Sequence, residues 1–388
     1  MFRMSLFIWV SGWVLFGIWV IGVTPSLISM LWRSLDSVTA RLPSPAEWPT
    51  VSIIVPARDE EAKIDAAMRS KLAIDYPRLE LIAVNDRSQD ATGLLLDRLA
   101  AEDPRLSVVH LDSLAEGWLG KSHAMHVAAS RATGDYLLFT DADVFFTPDL
   151  LRKAVTMCEA RGLDHLALAP RLECSGFFEK AVNLYFVMML CIASQPWLVR
   201  TGWRMSYVGV GAFNLVRRRA YSQCGGHTTI RLDVLDDVKL GKLIKQTGLK
   251  QDVLDAGAGV RVRWQEGYWG VVRGLEKNGF AVFDYSLVKL TVGSVFMFLA
   301  SLFPYLAIVL WPDWHNIGFL ATLVFIHAAG AFGAWRLGFG AAASAGLPVA
   351  TVTMIFTMWR SAILTLTRRG VRWRDTFYPL SLLREHVY

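Results

Sequence analysis

Tyr136-Leu137-Leu138-Phe139-Thr140-Asp141-Ala142-Asp143 is the stretch whose reading decides the fold. Its first four residues form a short apolar run, the pattern of a buried strand. Two carboxylates, Asp141 and Asp143, follow at i and i+2 where that strand ends. Residues so spaced in a strand share a face. At a strand's end they can close on one hard divalent cation, which prefers oxygen ligands and retains some water. A cation held there can neutralise a diphosphate. Polar loops also contain Asp-x-Asp by chance, so the reading depends on the surrounding sequence.

Upstream, strands and helices alternate. Val51-Ser52-Ile53-Ile54-Val55 is apolar, rich in β-branched residues and closed by Pro56. Residues 60–74 read as a helix with an apolar stripe at Ile64, Ala67, Met68 and Leu72. Residues 79–84 read as a second strand, 90–101 as a helix, 106–111 as a strand, 121–131 as a helix and 136–140 as a fourth strand. This alternation predicts an α/β fold with a mostly parallel sheet covered on both faces. Ligands of such sheets bind outside the carboxyl ends of the strands. Three of those ends carry polar clusters: Pro56-Ala57-Arg58-Asp59-Glu60, Asn85-Asp86-Arg87-Ser88 and Asp141-Ala142-Asp143. A dinucleotide site would need G-x-G-x-x-G after the first strand. That turn is Pro-Ala-Arg-Asp-Glu here, which excludes it.

The chain has 388 residues, 53% of them hydrophobic, with the apolar excess at its two ends. Residues 4–32 carry no charge, more than the roughly 20 a helix needs to cross a bilayer. A cleaved signal peptide would have a shorter apolar core, so 1–35 is read as an uncleaved anchor. Three late stretches, 290–311, 317–335 and 337–359, are also long enough to span, and 289–367 is read as a block of transmembrane helices. The linker 312–316 has no Lys or Arg and is expected to face outward. Three late spans after a cytoplasmic domain would leave the tail, 368–388, outside. Yet that tail is basic, which favours the inside; the sequence leaves this conflict open. Net charge is +6. The basic residues form no aromatic-interleaved patch, so nucleic acid is not an expected partner. Attraction to anionic headgroups accounts for the tail more simply. Cys158, Cys174, Cys191 and Cys224 form no C-x-x-C pair, which fits a reduced compartment without zinc or disulfides.

Several of these motifs resemble, in order, those of the family 2 glycosyltransferases. Val51 to Glu61 resembles the family's opening strand. Asn85-Asp86-Arg87-Ser88-Gln89-Asp90-Ala91-Thr92 matches its second strand end, and Gly134 to Asp143 its metal motif. Leu235-Asp236-Asp237-Val238-Lys239-Leu240 resembles its acidic pair before a helix, and Arg263-Trp264 its closing Arg-Trp. The resemblance covers roughly residues 50–285 and implies a GT-A fold. Gly117-Trp118-Leu119-Gly120-Lys121 and the flanking spans look most like membrane-bound lipid glycosyltransferases, such as the hopanoid- and carotenoid-associated enzymes and, more distantly, ceramide glucosyltransferases.

By that resemblance, Asp59 or Glu60 together with Asp86 would hold the base and ribose of a nucleotide sugar. Asp141 would contact ribose or metal, and Asp143 would ligate Mg²⁺ or Mn²⁺. Lys121 opens a helix after a glycine turn and can add a cation near the phosphates; a solvated lysine is the competing reading. Asp237 is the candidate general base, since the family's acidic pair places the base second. Asp236 is the alternative base or a helix N-cap. Arg263 would contact diphosphate and Trp264 would stack on acceptor, or the pair is a surface arginine beside a core tryptophan. Processive members carry Gln-x-x-Arg-Trp, whereas the Gln position here is Val260. That departure favours a single transfer.

Residues 181–199 form another uncharged stretch. A crossing there would put Asp143 and Asp237 on opposite sides of the membrane, so 177–198 is read as an interfacial helix, with a buried core helix as the alternative. Residues 267–283 read as a second interfacial element. The expectation is a multi-pass cell-membrane protein with a cytoplasmic catalytic domain. It would move one hexose by inversion from a nucleotide sugar, expected to be UDP-linked, to a lipid. A processive polysaccharide synthase and a non-catalytic membrane transport or scaffold protein are the rival readings. The histidines show no zinc spacing and are read as structural. Gly209, Gly211 and Asn214 are read as shaping the backbone.

Overall fold

The computed structural model describes residues 2–386. The chain divides into two compact units: Trp32–Glu173 with Pro196–Arg263 and the last residues, and Met1–Leu31 with Cys174–Gln195 and Trp264–Arg384.

The first unit has the α/β architecture expected from the sequence. Its strands are β1 (Val51–Ala57), β2 (Leu79–Asp86), β3 (Leu106–Leu111), β4 (Tyr136–Phe139), β5 (Phe145–Phe146), β6 (His165–Ala169), β7 (Arg171–Leu172), β8 (Asn214–Arg217), β9 (Gln251–Asp255) and β10 (Val260–Val262). Seven of them make one sheet in the order β3-β2-β1-β4-β8-β6-β9. All neighbours are parallel except those of β8, which runs against both β4 and β6. A small second sheet, β5-β10-β7, lies apart from it.

The period-2 alternation of the strands gives the main sheet two apolar faces. Ile53, Val55, Leu81, Ala83 and Leu138 point to one side, where Ile64, Met68, Leu96 and Leu99 of the helices Ile64–Leu72 and Thr92–Glu102 cover them. Ile54, Ile82, Val84, Leu137 and Phe139 point to the other. There they meet Ala124, Met125 and Ala128 of Gly120–Arg131 and Leu240, Leu243 and Ile244 of Asp236–Gln246. Full burial of a Val, Leu or Ile side chain contributes about 1.5–3 kcal/mol, so both layers hold the strand ends in fixed positions.

The second unit is helical. Among the described residues, five helices are long and apolar enough to cross a membrane: Leu6–Ser29, Phe177–Ser194, Leu287–Leu310, Trp314–Arg336 and Ala341–Arg368. Polar side chains tie them together. Trp19 Nε1 donates to the Ala300 carbonyl at 2.9 Å, Tyr185 Oη and Ser301 Oγ are 3.0 Å apart, and Trp359 Nε1 donates to Ser294 Oγ at 3.0 Å. In an apolar setting such groups need partners, and neighbouring helices supply them.

One expectation about the late segments changes. The last apolar helix is Leu347–Arg368, entered through a 3-10 turn at Ala341–Gly346, rather than 337–359. Gly338 and Gly340 take positive φ, 77° and 82°, which breaks regular helix there. The basic tail is also folded: Gly370–Trp373 pairs with Thr376–Pro379 as an antiparallel hairpin. Arg360 and Arg368 are paired with Glu276 at 3.1 and 3.2 Å, and Lys277 lies 3.7 Å from the Trp373 ring centroid. Trp264–Phe283 groups with these helices, so the sheet-bearing unit ends at Arg263, short of the expected 285.

Candidate active site

Topology sets the site. Strands β1, β2 and β4 run the same way, so the loops after Ala57, Asp86 and Phe139 open on one edge. Strand β8 runs the opposite way, and its first residue, Asn214, pairs with Phe139. The loop that enters β8 therefore lies beside the loop that leaves β4. Asp141 N–H donates to the Gly211 carbonyl at 3.1 Å.

Gly211 also faces the helix Asp236–Gln246. Its N–H donates to Asp237 Oδ2 at 2.7 Å, and Val238 N–H donates to Asp237 Oδ1 at 2.9 Å. A Cβ on Gly211 would fall 2.8 Å from Asp141 Oδ2 and 3.3 Å from Asp237 Oδ2. At Gly209 a Cβ would lie 1.7 Å from the Asp237 carbonyl oxygen. Gly209 must be glycine for loop and helix to meet, whereas a side chain at Gly211 would displace the carboxylates. Gly211 therefore contributes a hydrogen-bond donor as well as backbone shape.

Burial and the neighbouring Asp236 charge push the Asp237 carboxyl up to about 6 against the pull of Lys121. Asp236 is itself buried, and Lys121 Nζ lies 3.2 Å from its Oδ2 and 2.8 Å from Asp141 Oδ1. Burial alone would lower the Lys121 pKa; the charges of Asp141, Asp236 and Asp237 outweigh it and raise it. The solvated-lysine reading is corrected: Lys121 is a bridging cation drawn in by three carboxylates. The helix N-cap is Leu235, and Asp236 is the first helical residue rather than the cap.

Asp143 sits on the same turn, with Lys63 Nζ at 3.6 Å. Burial and Asp141 raise its pKa, with Lys63 and Lys71 opposing. Lys71 lies beneath this turn, fully buried, and donates to the Val144 carbonyl at 2.5 Å. Burial draws its own pKa down to about 7 against the charges of Asp143 and Asp141. Its signal was present in the sequence: a lysine seven residues after Ile64 falls on the helix's apolar stripe.

The donor set suits a hard divalent cation. Asp141, Asp143, Asp236 and Asp237 outnumber Lys63 and Lys121, so a diphosphate would be repelled unless a cation came with it. Mg²⁺ is commonly held by one or two carboxylates, with substrate phosphates and water completing its shell. Among the described residues no group of three or more His, Cys, Asp and Glu could hold a metal alone.

The other expected residues are placed as follows. Asp59 and Glu60 follow β1, but Asp59 Oδ1 accepts from Gln89 N–H at 2.8 Å and Glu60 N–H donates to Thr92 Oγ1 at 2.8 Å. These bonds staple the loops after β1 and β2 together. Asp86 is buried and accepts from Arg87 Nε at 2.7 Å and Nη2 at 3.0 Å. Asp59 and Arg87 both take left-handed backbone, with φ of 52° and 57°, unfavourable for an arginine and commonest where geometry serves a ligand. Arg263 ends the sheet-bearing unit. Trp264 belongs to the helical one, where it stacks on Phe186 at 5.2 Å. His126 stacks on Trp118 at 4.8 Å.

One buried network carries no recognisable sequence signal. His165 Nε2 lies 3.0 Å from Asn214 Oδ1, which also accepts from Val210 N–H at 3.0 Å. Gln251 Nε2 lies 2.6 Å from His165 Nδ1 and donates to the Gly241 carbonyl at 3.1 Å. Gln251 Oε1 accepts from Val208 N–H at 3.1 Å. Burial pulls His165 down to about 4, so it is neutral, with Nε2 donating and Nδ1 accepting. The network fixes the 208–211 loop to the 236–246 helix.

Comparison with known proteins agrees with this geometry. Residues 52–225 match the family model described as Glycosyl transferase family 2. The 4,4'-diaponeurosporenoate glycosyltransferase of Staphylococcus aureus (strain MRSA252) is 25% identical over 231 residues, 59% of this chain and 60% of that protein. Its counterpart from strain USA300 is 25% identical over 230 residues, with the same coverage. The chain thus spans about three fifths of the length of the curated relatives it matches. A mannosyltransferase from Pyrobaculum calidifontis, solved with GDP-Man and Mn²⁺, superposes with a TM-score of 0.52 at 19% identity, covering 92% of this chain and 99% of that one. Sheet order, strand-end carboxylates and family match converge: residues 52–225 are a family 2 glycosyltransferase domain of GT-A fold.

Proposed function

We propose that the protein is a membrane-bound, inverting, metal-dependent glycosyltransferase that moves one hexose from a UDP-sugar to a lipid hydroxyl at the cytoplasmic face. The observation that carries this reading is the placement of Gly211, which accepts from Asp141 N–H and donates to Asp237. One backbone residue thus joins a candidate cation ligand to a candidate base. The five apolar helices support a membrane setting, and the relatives named for diaponeurosporenoate support an apolar acceptor.

In the proposed reaction the acceptor oxygen attacks the anomeric carbon from the face opposite the diphosphate. The new C–O bond forms as the bond to the diphosphate oxygen breaks, and the nucleoside diphosphate leaves. Asp237 takes the acceptor's proton. Each of its oxygens already accepts one backbone N–H, so the carboxylate is aimed while a lone pair stays available. A general base of this kind contributes about 10²–10⁴-fold. Mg²⁺ or Mn²⁺ bound by Asp143 and Asp141 would supply positive charge to the leaving diphosphate. Lys121 holds Asp141 and Asp236 in register, and Asp59, Glu60, Asp86 and Arg263 are the proposed donor contacts.

The test is transfer from a panel of radiolabelled sugar nucleotides by purified protein in lipid extract with Mn²⁺ or Mg²⁺, beside Asp143→Ala. Metal-dependent label in an organic-soluble product, lost in the mutant, is the expected result. Label in a water-soluble polymer would instead indicate a processive synthase, which Val260 does not favour. Donor binding without turnover on any lipid would overturn the enzymatic reading.

A further inference from the structure

The loop that follows Pro196–Leu198 in the sheet-bearing unit displays an unusual surface. Trp203 is 54% exposed and Met205 is 71% exposed, and Arg200 and Arg204 beside them are exposed too. The backbone beneath them is held. Thr201 N–H donates to the Leu198 carbonyl at 2.8 Å and Ser206 N–H to the Trp203 carbonyl at 3.3 Å. Buried Lys245 donates to the carbonyls of Val199 and Thr201. A lysine buried to hold a loop that shows its apolar side chains to the outside implies that those side chains meet something.

Three observations identify what they meet. The loop carries Arg200 and Arg204 and no carboxylate, and none lies between Glu179 and Asp233, so the partner is anionic. Trp203 and Met205 are apolar, so it also takes up apolar groups. Pro196 lies two residues after Ser194, the end of a helix apolar enough to enter a bilayer. Arg200 follows Ser194 by six residues, at most about 22 Å of chain, so a helix held in the membrane tethers this loop within reach of the headgroup layer. Tryptophan prefers that layer, and each nearby arginine adds about fivefold in affinity for an anionic surface.

We propose that residues 200–205 dock the sheet-bearing unit on an anionic lipid surface, with Trp203 and Met205 inserted at headgroup level and Arg200 and Arg204 on lipid phosphates. The inference rests on the membrane reading given above. It also has a consequence for the site. Lys245 lies near one end of the 236–246 helix and Asp237 at the other, a rod of roughly 16 Å. The docking loop is therefore joined to the base through that one helix.

The test uses the full chain in nanodiscs of phosphatidylcholine, with or without phosphatidylglycerol, whose acyl chains are brominated near the headgroup. Wild type should lose more tryptophan fluorescence than Trp203→Phe, and the difference should grow with phosphatidylglycerol. Arg200→Gln/Arg204→Gln should shrink that growth severalfold. Equal quenching in wild type and Trp203→Phe would overturn docking, and a difference indifferent to phosphatidylglycerol would overturn the anionic partner. Sugar transfer measured in the same discs separates the two readings. Quenching without transfer leaves docking standing while the enzymatic proposal falls, and transfer without quenching does the reverse.

Discussion

Lys121 Nζ lies 2.8 Å from Asp141 Oδ1, and the same ammonium reaches Asp236. One cation thus joins the carboxylate at the end of β4 to the pair that opens the 236–246 helix. Lys121→Met should slow transfer by about 10²-fold, the scale seen when one preorganised electrostatic partner is lost. It should also tighten Mn²⁺ binding, because Asp141 no longer shares its charge with the ammonium. Calorimetric titration with Mn²⁺ checks this, and weaker binding would show that Lys121 supports the metal ligands rather than competing for them.

A base with its carboxyl held at about 6 is fully ionised only above that pH. The proposed rate, followed as kcat/KM, should fall about tenfold per unit below pH 6. Asp237→Asn should remove at least 10²-fold of kcat with donor affinity unchanged. The shift also has a thermodynamic sign. The folded pKa lies above the usual 3.8, so the stabilising contribution of the protonated form is present below about 4 and lost as pH rises through about 6. The Tm of Asp237→Asn relative to wild type should therefore increase between those values.

Gly211→Ala would place a methyl group 2.8 Å from Asp141 Oδ2. The carboxylates must move apart, and ångström-scale misplacement at a reacting centre can cost about 10²-fold. A loss of that size with a wild-type circular dichroism spectrum is expected. Near-wild-type turnover would mean that the two carboxylates do not act together.

Gln251→Met keeps the volume but removes three hydrogen bonds, to Val208, Gly241 and His165. Leaving such partners unmatched costs about 1–3 kcal/mol, or roughly 2–12 °C in Tm for a domain of this size. If the network positions the 208–211 loop, kcat should fall further than the donor's KM rises. An equal change in both would reduce Gln251 to a structural role.

The legible parts of the chain were those where local pattern and tertiary role coincide. Strands β1 to β4 are short apolar runs with turn residues after them, so their order and the position of Asp141 and Asp143 followed from periodicity alone. The antiparallel entry of β8 did not, because a four-residue strand has no direction in its sequence. The tie between Asp59 and the loop after β2 was also hidden, because the Gln89 N–H that its carboxylate accepts from is thirty residues away. Lys71 was passed over because lysine is rarely buried. The tail's arginines masked the hairpin, whose pairing of Val371 with Tyr378 shows only when both strands are placed.

The reversed strand also orders events in time. Everything needed for the parallel edge, from Val51 to Asp143, is contiguous and is synthesised before the glycine loop. The glycine loop and Asp237 emerge only after the apolar helix Phe177–Ser194 has left the ribosome. A nascent chain can therefore build the donor half before that helix reaches a bilayer, but lacks its proton acceptor until afterwards. Under the proposed chemistry, an incomplete chain could retain a sugar nucleotide without spending it.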